Sequence, residues 1–410
     1  VRLAFTSGEL SLAGMRASAL AADFGTPLYC YDEQTLRQRC RSLKSLVSLE
    51  NFQVYYSAKA NGSVALLKII QSEGLLADAM SPGELLAATE AGYDPKDLLF
   101  VSNNVSTEIF GEIAQAGVVK CCVDSLGQLS RWLKARPGGR AVLRINPAQG
   151  AGHHQKVVTA GKVKFGIDPA LIPEAITQAQ ALGGEVKGLM VHIGSLFLDP
   201  EPWLKAVDWL LAIAEQYPQI DYIDFGGGMG IPYDRSQEAE FPVAVFGQAL
   251  EARLTAWMDK TGRRPTFAIE PGRFVVAESG VCLIQVQSVK INQGTSFTGT
   301  NLGFNFLIRP EMYGAYHEIL AATKAGEGSS TNVVGNICES GDYLGKDRNL
   351  PALEEGDLLV VRDTGAYGFS MASNYTGMGR PAEVLIGLDG QARLIRRRES
   401  PEQLLQNQIY

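Results

Sequence analysis

Between residues 27 and 275 short apolar runs alternate with amphipathic stretches without a break, and this rhythm limits what the chain can fold into more than any other feature. The apolar runs are 52–58, 75–79, 98–102, 121–124, 141–146, 186–193, 222–225 and 265–269. Between them, 63–73, 82–91, 106–116, 125–135, 169–181, 200–216 and 242–261 carry apolar residues three to four apart, the helical period. Strict alternation of strand and helix implies parallel strands joined by crossover helices. Eight such units in about 250 residues favour an α/β fold of the closed (β/α)8 barrel type over an open doubly wound sheet. In such a barrel the polar residues that end each strand converge on one rim, where barrels place their chemistry. Here they are Lys59, Asp78, Asn103, Asp124, Asn146, His192, Gly226–Gly228 and Glu270.

A barrel over residues 26–275 leaves much of a 410-residue chain unassigned, and the texture changes after Arg273. The runs 275–292, 331–338, 357–363 and 383–386 read as strands without long helices between them, with turn signals at 379–381 and 389–390. Residues 1–25 and 276–410 are therefore expected to form a second, mostly β domain, with the short alternating segment 3–12 pairing into it. At 46% hydrophobic and 20% charged residues the chain can bury a large core and is not disordered. With 37 basic against 44 acidic residues there is no net positive field, so nucleic acid is not an expected partner. No apolar run approaches the ~18 residues of a membrane span, so no membrane partner is expected either. Six cysteines are too sparse for a disulfide scaffold, and no charged-then-apolar leader opens the chain; a cytoplasmic protein is expected, and a start at Val1 implies processing or trimming.

Three features carry chemistry. Lys59 follows a strand, where its ammonium either reaches solvent or is desolvated into a nucleophilic amine. The run Gly226-Gly227-Gly228-Met229-Gly230 strips side chains from a strand end, either to make a turn or to let backbone N–H groups converge on a phosphate. Glu270 and Arg273 at the last strand end are either a structural ion pair or a carboxylate for a pyridine nitrogen and a clamp for a substrate carboxylate. Other signatures fail: the glycine run lacks dinucleotide or P-loop spacing, His317-Glu318 has Ala321 where a zinc helix needs its second His, and His153-His154 has no partners at ligand spacing. No metal is expected. A Schiff-base lysine, a phosphate cradle and a pyridinium-binding carboxylate on different strand ends specify pyridoxal phosphate (PLP) chemistry.

Tyr56–Asn61, His192–Ser195, Gly226–Gly230, Glu270–Arg273, Arg309–Tyr313, Cys338–Asp342 and Gly365–Gly368 resemble the motifs of the alanine-racemase-fold PLP decarboxylases, in family order over residues ~25–390, and within that family the diaminopimelate decarboxylases. The resemblance implies that Lys59 holds PLP, that His192 stacks on the pyridine and Glu270 pairs with its nitrogen. It implies that Ser195, Gly227, Gly228 and Gly230, helped by Tyr367, bind the phosphate, with Asp78 among the cofactor's neighbours. Arg273, Arg309 and Tyr313 would hold a substrate carboxylate, with Tyr367 beside them, and Glu339 the distal ammonium. Cys338 would donate a proton, entering from the partner of a homodimer. The implied reaction turns meso-diaminopimelate into L-lysine and CO2, a step of lysine biosynthesis. The segment 299–305 lacks the Asp-Gly that the family pattern leads one to expect, and 375–380 replaces a more basic stretch. Both departures bear on the substrate, so D-lysine, D-ornithine or another substrate with a distal amine stays open. A racemase fits less well because of the Cys-Glu-Ser-Gly-Asp block, and a non-catalytic PLP carrier less well because of the β domain.

Overall fold

A computed structural model describes residues 1–6, 8–147, 150 and 158–409; His153 and His154 lie outside them. The chain divides into two compact units, Arg39–Pro232 with Ala239–Phe274, and Val1–Gln38 with Tyr233–Glu238 and Val275–Tyr410.

The first unit is a closed barrel of eight parallel strands, Phe52–Ser57, Leu76–Ala79, Leu99–Val101, Lys120–Val123, Arg140–Arg144, Glu185–Met190, Tyr222–Asp224 and Thr266–Ile269. Each run expected from the sequence is one of these strands. Inward side chains from successive strands, among them Tyr55, Leu99, Cys122, Val142, Met190, Tyr222 and Ala268, fill the interior, so the barrel is a packed core with its chemistry confined to the rim. Helices start where the sequence supplies a cap: Ser81, Ser106 and Ser125 each accept the N–H three residues on, at 3.2, 3.3 and 3.2 Å. Each cap satisfies one orphan donor of a helix start and contributes about 1 kcal/mol. These starts set where each strand ends, and therefore which residue reaches the rim.

The second unit is built around the long strand Gly280–Asn292, which pairs antiparallel with Leu28–Asp32, Thr295–Thr300 and Leu358–Val361. Ala382–Ile386 extends the sheet beside Leu28–Asp32, followed by Ala392–Arg396; Ser329–Val334 and Tyr343–Leu350 extend it beyond Thr295–Thr300. Leu28, Cys30, Val281, Leu283, Val360 and Val384 form its core. Several details differ from the sequence reading. Leu28–Asp32 belongs to this sheet, so the residues up to Gln38 lie with the β unit and not with the barrel. The segment 275–279 is helical, Arg273–Val276 and then one 3-10 turn, before the strand begins at Gly280. Leu3–Thr6, Glu9–Leu12 and Met15–Arg16 make a three-stranded sheet of their own, joined to the unit by the Leu10 N–H to Ala322 O bond (2.7 Å) and by burying Leu10 and Leu12 in its core. Tyr343–Leu350 was not anticipated because its sequence, YLGKDRNL, has no clean apolar alternation; strand pairing overrides weak local preference there. Among the described residues no helix is long and apolar enough to cross a membrane.

Candidate active site

The barrel rim gathers charge in an apolar setting. Lys59 sits in a single 3-10 turn, Ala58–Ala60, directly after the first barrel strand, with Ala58 and Ala60 buried and its own side chain exposed. Its charge is felt by Asp78, Glu84, Glu270 and His192.

Three carboxyl groups at barrel strand ends are buried. Asp78 is fully buried, and among the described residues neither of its oxygens has a hydrogen-bond partner at bonding distance; burial pushes its carboxyl up to about 8, against the pull of Lys59 and of the nearby Ser57 hydroxyl. Asp224 accepts the Gly226 N–H (2.8 Å) and the Tyr222 hydroxyl (2.9 Å), and burial raises it to about 6. Glu270, 6% exposed, is pushed well above the ordinary carboxyl range by burial and then by the charges of Asp224 and Asp78, and its Oε1 has no hydrogen-bond partner among the described residues. A buried acceptor left unmatched costs about 1–3 kcal/mol, which makes it a place for a donor from elsewhere.

His192 ends the neighbouring strand region. The Gly227 N–H donates to its Nδ1 (3.2 Å), so the neutral ring carries its proton on Nε2. Burial, followed by the charges of Arg144 and Lys59, holds the imidazole well below its ordinary pKa. The ring is neutral and oriented, as a group that packs on an aromatic face requires.

The glycine run has a role the sequence reading did not separate out. A Cβ on Gly227 would collide with the Glu270 carbonyl oxygen, one on Gly228 with the Phe197 ring, and one on Gly226 would lie 2.5 Å from the Val191 carbonyl oxygen. These glycines let three strand ends close on one another, with Gly226 and Gly228 at φ +66° and +133°. The cradle is also narrower than expected. Gly226, Gly227 and Gly230 donate to Asp224 Oδ1, His192 Nδ1 and Phe197 O, whereas Gly228 donates to no protein acceptor among the described residues. Beside it Arg273 Nη2 donates to Ser195 Oγ at 3.2 Å, tying together two residues expected on opposite ends of the ligand.

Three of the rim residues read from sequence are occupied elsewhere. Asn103 and Gln128 both donate to Asp124, and Asn146 closes a loop through Gly161 N (2.8 Å) and O (2.9 Å). Arg144 was missed. It is the last residue of its strand, 7% exposed, with its guanidinium 4.5 Å from the Phe165 ring centre and Nη2 without a hydrogen-bond partner among the described residues. Its charge acts on His192 and Glu270. The signal was in the sequence, since a strand ending at 144 and not at 146 puts an arginine at the rim.

The β unit holds the remaining candidates. Cys338 and Glu339 are exposed on a turn clamped by Asp342, whose carboxylate accepts the N–H groups of Phe304 (2.7 Å) and Ile337 (2.7 Å). Cys338 is exposed while the other five cysteines are buried, and none forms a disulfide. Tyr375 donates to Glu339 Oε1 at 2.6 Å and stacks on Phe304 at 5.7 Å; it lies in the segment that departs from the family pattern and had not been assigned a part. Tyr367 is half-buried and adopts φ +57°, a strained backbone for a bulky side chain that over-determined sites tolerate. Arg309, in the short helix Arg309–Tyr313, is 1% exposed, and Tyr313 at its end is half-buried. His317 lies in a loop and not in a helix, so no zinc helix forms there.

Within the barrel unit these groups fit PLP. The partnerless Glu270 oxygen offers an acceptor to a pyridine N–H, Gly228 N–H and the Ser195–Arg273 pair offer donors to a phosphate, and Lys59 offers an amine within reach of the same carboxyl charges.

Comparison with known proteins agrees. Residues 33–277 match the family model described as "Pyridoxal-dependent decarboxylase, pyridoxal binding domain". The chain is 40% identical to a diaminopimelate decarboxylase of Methanothermobacter thermautotrophicus, over 98% of this chain and 96% of that one, and 35% identical to that of Escherichia coli strain K12, over 97% of each. It superposes with a TM-score of 0.91 on the crystal structure of diaminopimelate decarboxylase from M. jannaschii in co-complex with L-lysine, at 30% identity and covering 100% of this chain and 98% of that one. With the barrel, the rim chemistry and the whole length of the chain pointing the same way, the chain belongs to the pyridoxal-dependent decarboxylase family.

Proposed function

We propose that this decarboxylase converts meso-diaminopimelate to L-lysine and CO2, in the cytoplasm, as a homodimer whose active sites draw residues from both chains. The observation that carries the substrate is the end-to-end likeness to proteins named diaminopimelate decarboxylase, one of them solved with L-lysine. Bound PLP supplies the electron sink for the pair left behind when the bond to the departing carboxylate breaks.

The chain's own residues do the rest. Lys59 holds the cofactor through its amine. Glu270 accepts the ring N–H; a carboxyl held neutral by burial and by Asp224 and Asp78 becomes an ionised partner once a cation is brought to its unmatched oxygen. His192, neutral and fixed by Gly227, packs on the ring and excludes water from that face. Gly228 and Ser195, with Arg273 behind Ser195, form the phosphate end, while the Gly227 and Gly230 N–H groups, spent on His192 and Phe197, hold its shape; Tyr367 completes it and Asp78 closes the side nearest Lys59. Arg309 and Tyr313, together with Arg273, take the carboxylate that is retained in the product. Glu339 takes the distal ammonium, and its bond from Tyr375 orients the carboxylate for it. Cys338, exposed on its clamped turn, returns a proton to the carbon that lost CO2. That Cys338 and Glu339 come from the partner rests on the family resemblance. The Tyr375 contact lies where this chain departs from the family pattern, so a different distal-amine substrate is the competing reading.

The test is CO2 release from meso-diaminopimelate, D- and L-lysine, D- and L-ornithine and arginine under one set of conditions. Release from meso-diaminopimelate should exceed every other by orders of magnitude. Preference for a D-monocarboxylate substrate would replace the proposal with the competing reading.

A further inference from the structure

We infer that His317 is a positioning residue that aims the Arg309 guanidinium at the substrate's retained carboxylate; this rests on the role proposed for Arg309 above. Arg309 is almost fully buried, and its charge cannot be shed because a guanidinium does not deprotonate in proteins. Its Nη1 lies 2.8 Å from His317 Nε2. A guanidinium only donates, so Nε2 is the acceptor; the ring proton is then on Nδ1, which donates to the Arg362 backbone oxygen at 2.8 Å. His317 is 0% exposed and is held at both nitrogens, in one tautomer.

A third side is fixed by Tyr233. Its ring lies 4.5 Å from the guanidinium carbon of Arg309 and meets the His317 ring edge-on, at 5.1 Å and 71°. Arg309 and His317 flank the left-handed turn at Gly314 (φ +60°), with Ala315 N–H bonded to Arg309 O at 3.3 Å, which brings the two side chains together. A guanidinium has five N–H donors in one plane, so fixing one donor and one face fixes the direction of the others. An imidazole also does this without cancelling the charge. A carboxylate in the place of His317 would neutralise Arg309 and compete with an anionic ligand for it.

The prediction is read on the holoenzyme with two probes that differ by one carboxylate, L-lysine and 1,5-diaminopentane, binding being measured by calorimetry. His317→Phe keeps a ring against Tyr233 and removes the acceptor; L-lysine should bind about tenfold more weakly, while 1,5-diaminopentane binds within twofold of the parent. His317→Gln, whose amide oxygen can accept from Arg309, should recover most of the loss. If the phenylalanine variant does not fold, His317→Met supplies the same test. Equal weakening of both probes, or of neither, overturns the inference. Arg309→Lys separates the two levels. If it weakens L-lysine selectively and His317→Phe does not, only the positioning role falls; if it leaves L-lysine binding unchanged, the carboxylate role of Arg309 falls and takes the inference with it.

Discussion

Asp78 is the residue whose removal should make the barrel more stable, and only over a defined pH range. In an unfolded chain its carboxyl ionises near 3.8; buried in the barrel it ionises near 8. Between those values the folded state keeps a proton that the unfolded state has released, so stability falls as pH rises, by about 1.4 kcal/mol per unit. From pH 5 to pH 7 one such group costs about 2.7 kcal/mol, a ceiling because Glu270 and Asp224 share the same field. Asp78→Asn has no proton to lose. In cofactor-free protein the variant should match its parent within about 1 kcal/mol near pH 4, where the unfolded carboxyl has only begun to release its proton, and gain up to about 4 kcal/mol on it by pH 7. Tryptophan fluorescence during urea unfolding reads this directly, because Trp132, Trp203, Trp209 and Trp257 all lie in the barrel unit. A difference between the two chains that does not change from pH 4 to pH 7 would refute the reasoning, since it would mean that Asp78 ionises alike in both states. The cost is one that a cofactor site can bear: the neighbouring ammonium of Lys59 already lowers it.

Two further outcomes follow from the site. Glu270→Gln should still bind PLP, seen by its absorbance, yet lose at least about a hundredfold in decarboxylation, because an amide cannot hold the ring nitrogen protonated; undiminished turnover would leave Glu270 a structural role only. Lys59→Ala and Cys338→Ala chains, each inactive alone, should recover up to about a quarter of parental activity per site when mixed under conditions of subunit exchange, because half of the dimers then hold one intact site of two. Exchange confirmed by mass with activity still at background would put Cys338 outside the partner's site.

The barrel was legible because its signal is local and repeated. Each strand is a short apolar run buried on both faces, and Ser81, Ser106 and Ser125 stand where helices begin. The β unit was read less completely, because strands such as Tyr343–Leu350 and Ala392–Arg396 show no clean alternation of burial and depend on their partners for their existence. Leu28–Asp32 could not be placed from its own sequence at all. LYCYD reads as a buried strand of either unit, and only its pairing with Gly280–Asn292 and Ala382–Ile386 decides.

Sequence by itself determined which residues reach the barrel rim, Lys59, Asp78, His192, the glycine run and Glu270, because a strand's end and the side-chain alternation along it are properties of a few consecutive residues. Tertiary structure alone decided what those residues are to one another. Glu270 is pushed above the ordinary carboxyl range by burial and then by Asp224 and Asp78 from other strands, His192 has its tautomer set by Gly227, and the glycines are required by carbonyls and a ring far away in the chain. It likewise decided that His317, which fails as a zinc ligand in sequence, meets Arg309 across a turn. Electrostatic and hydrogen-bonding partners act through space over a few ångströms, and no spacing along the chain encodes which distant groups will come that close.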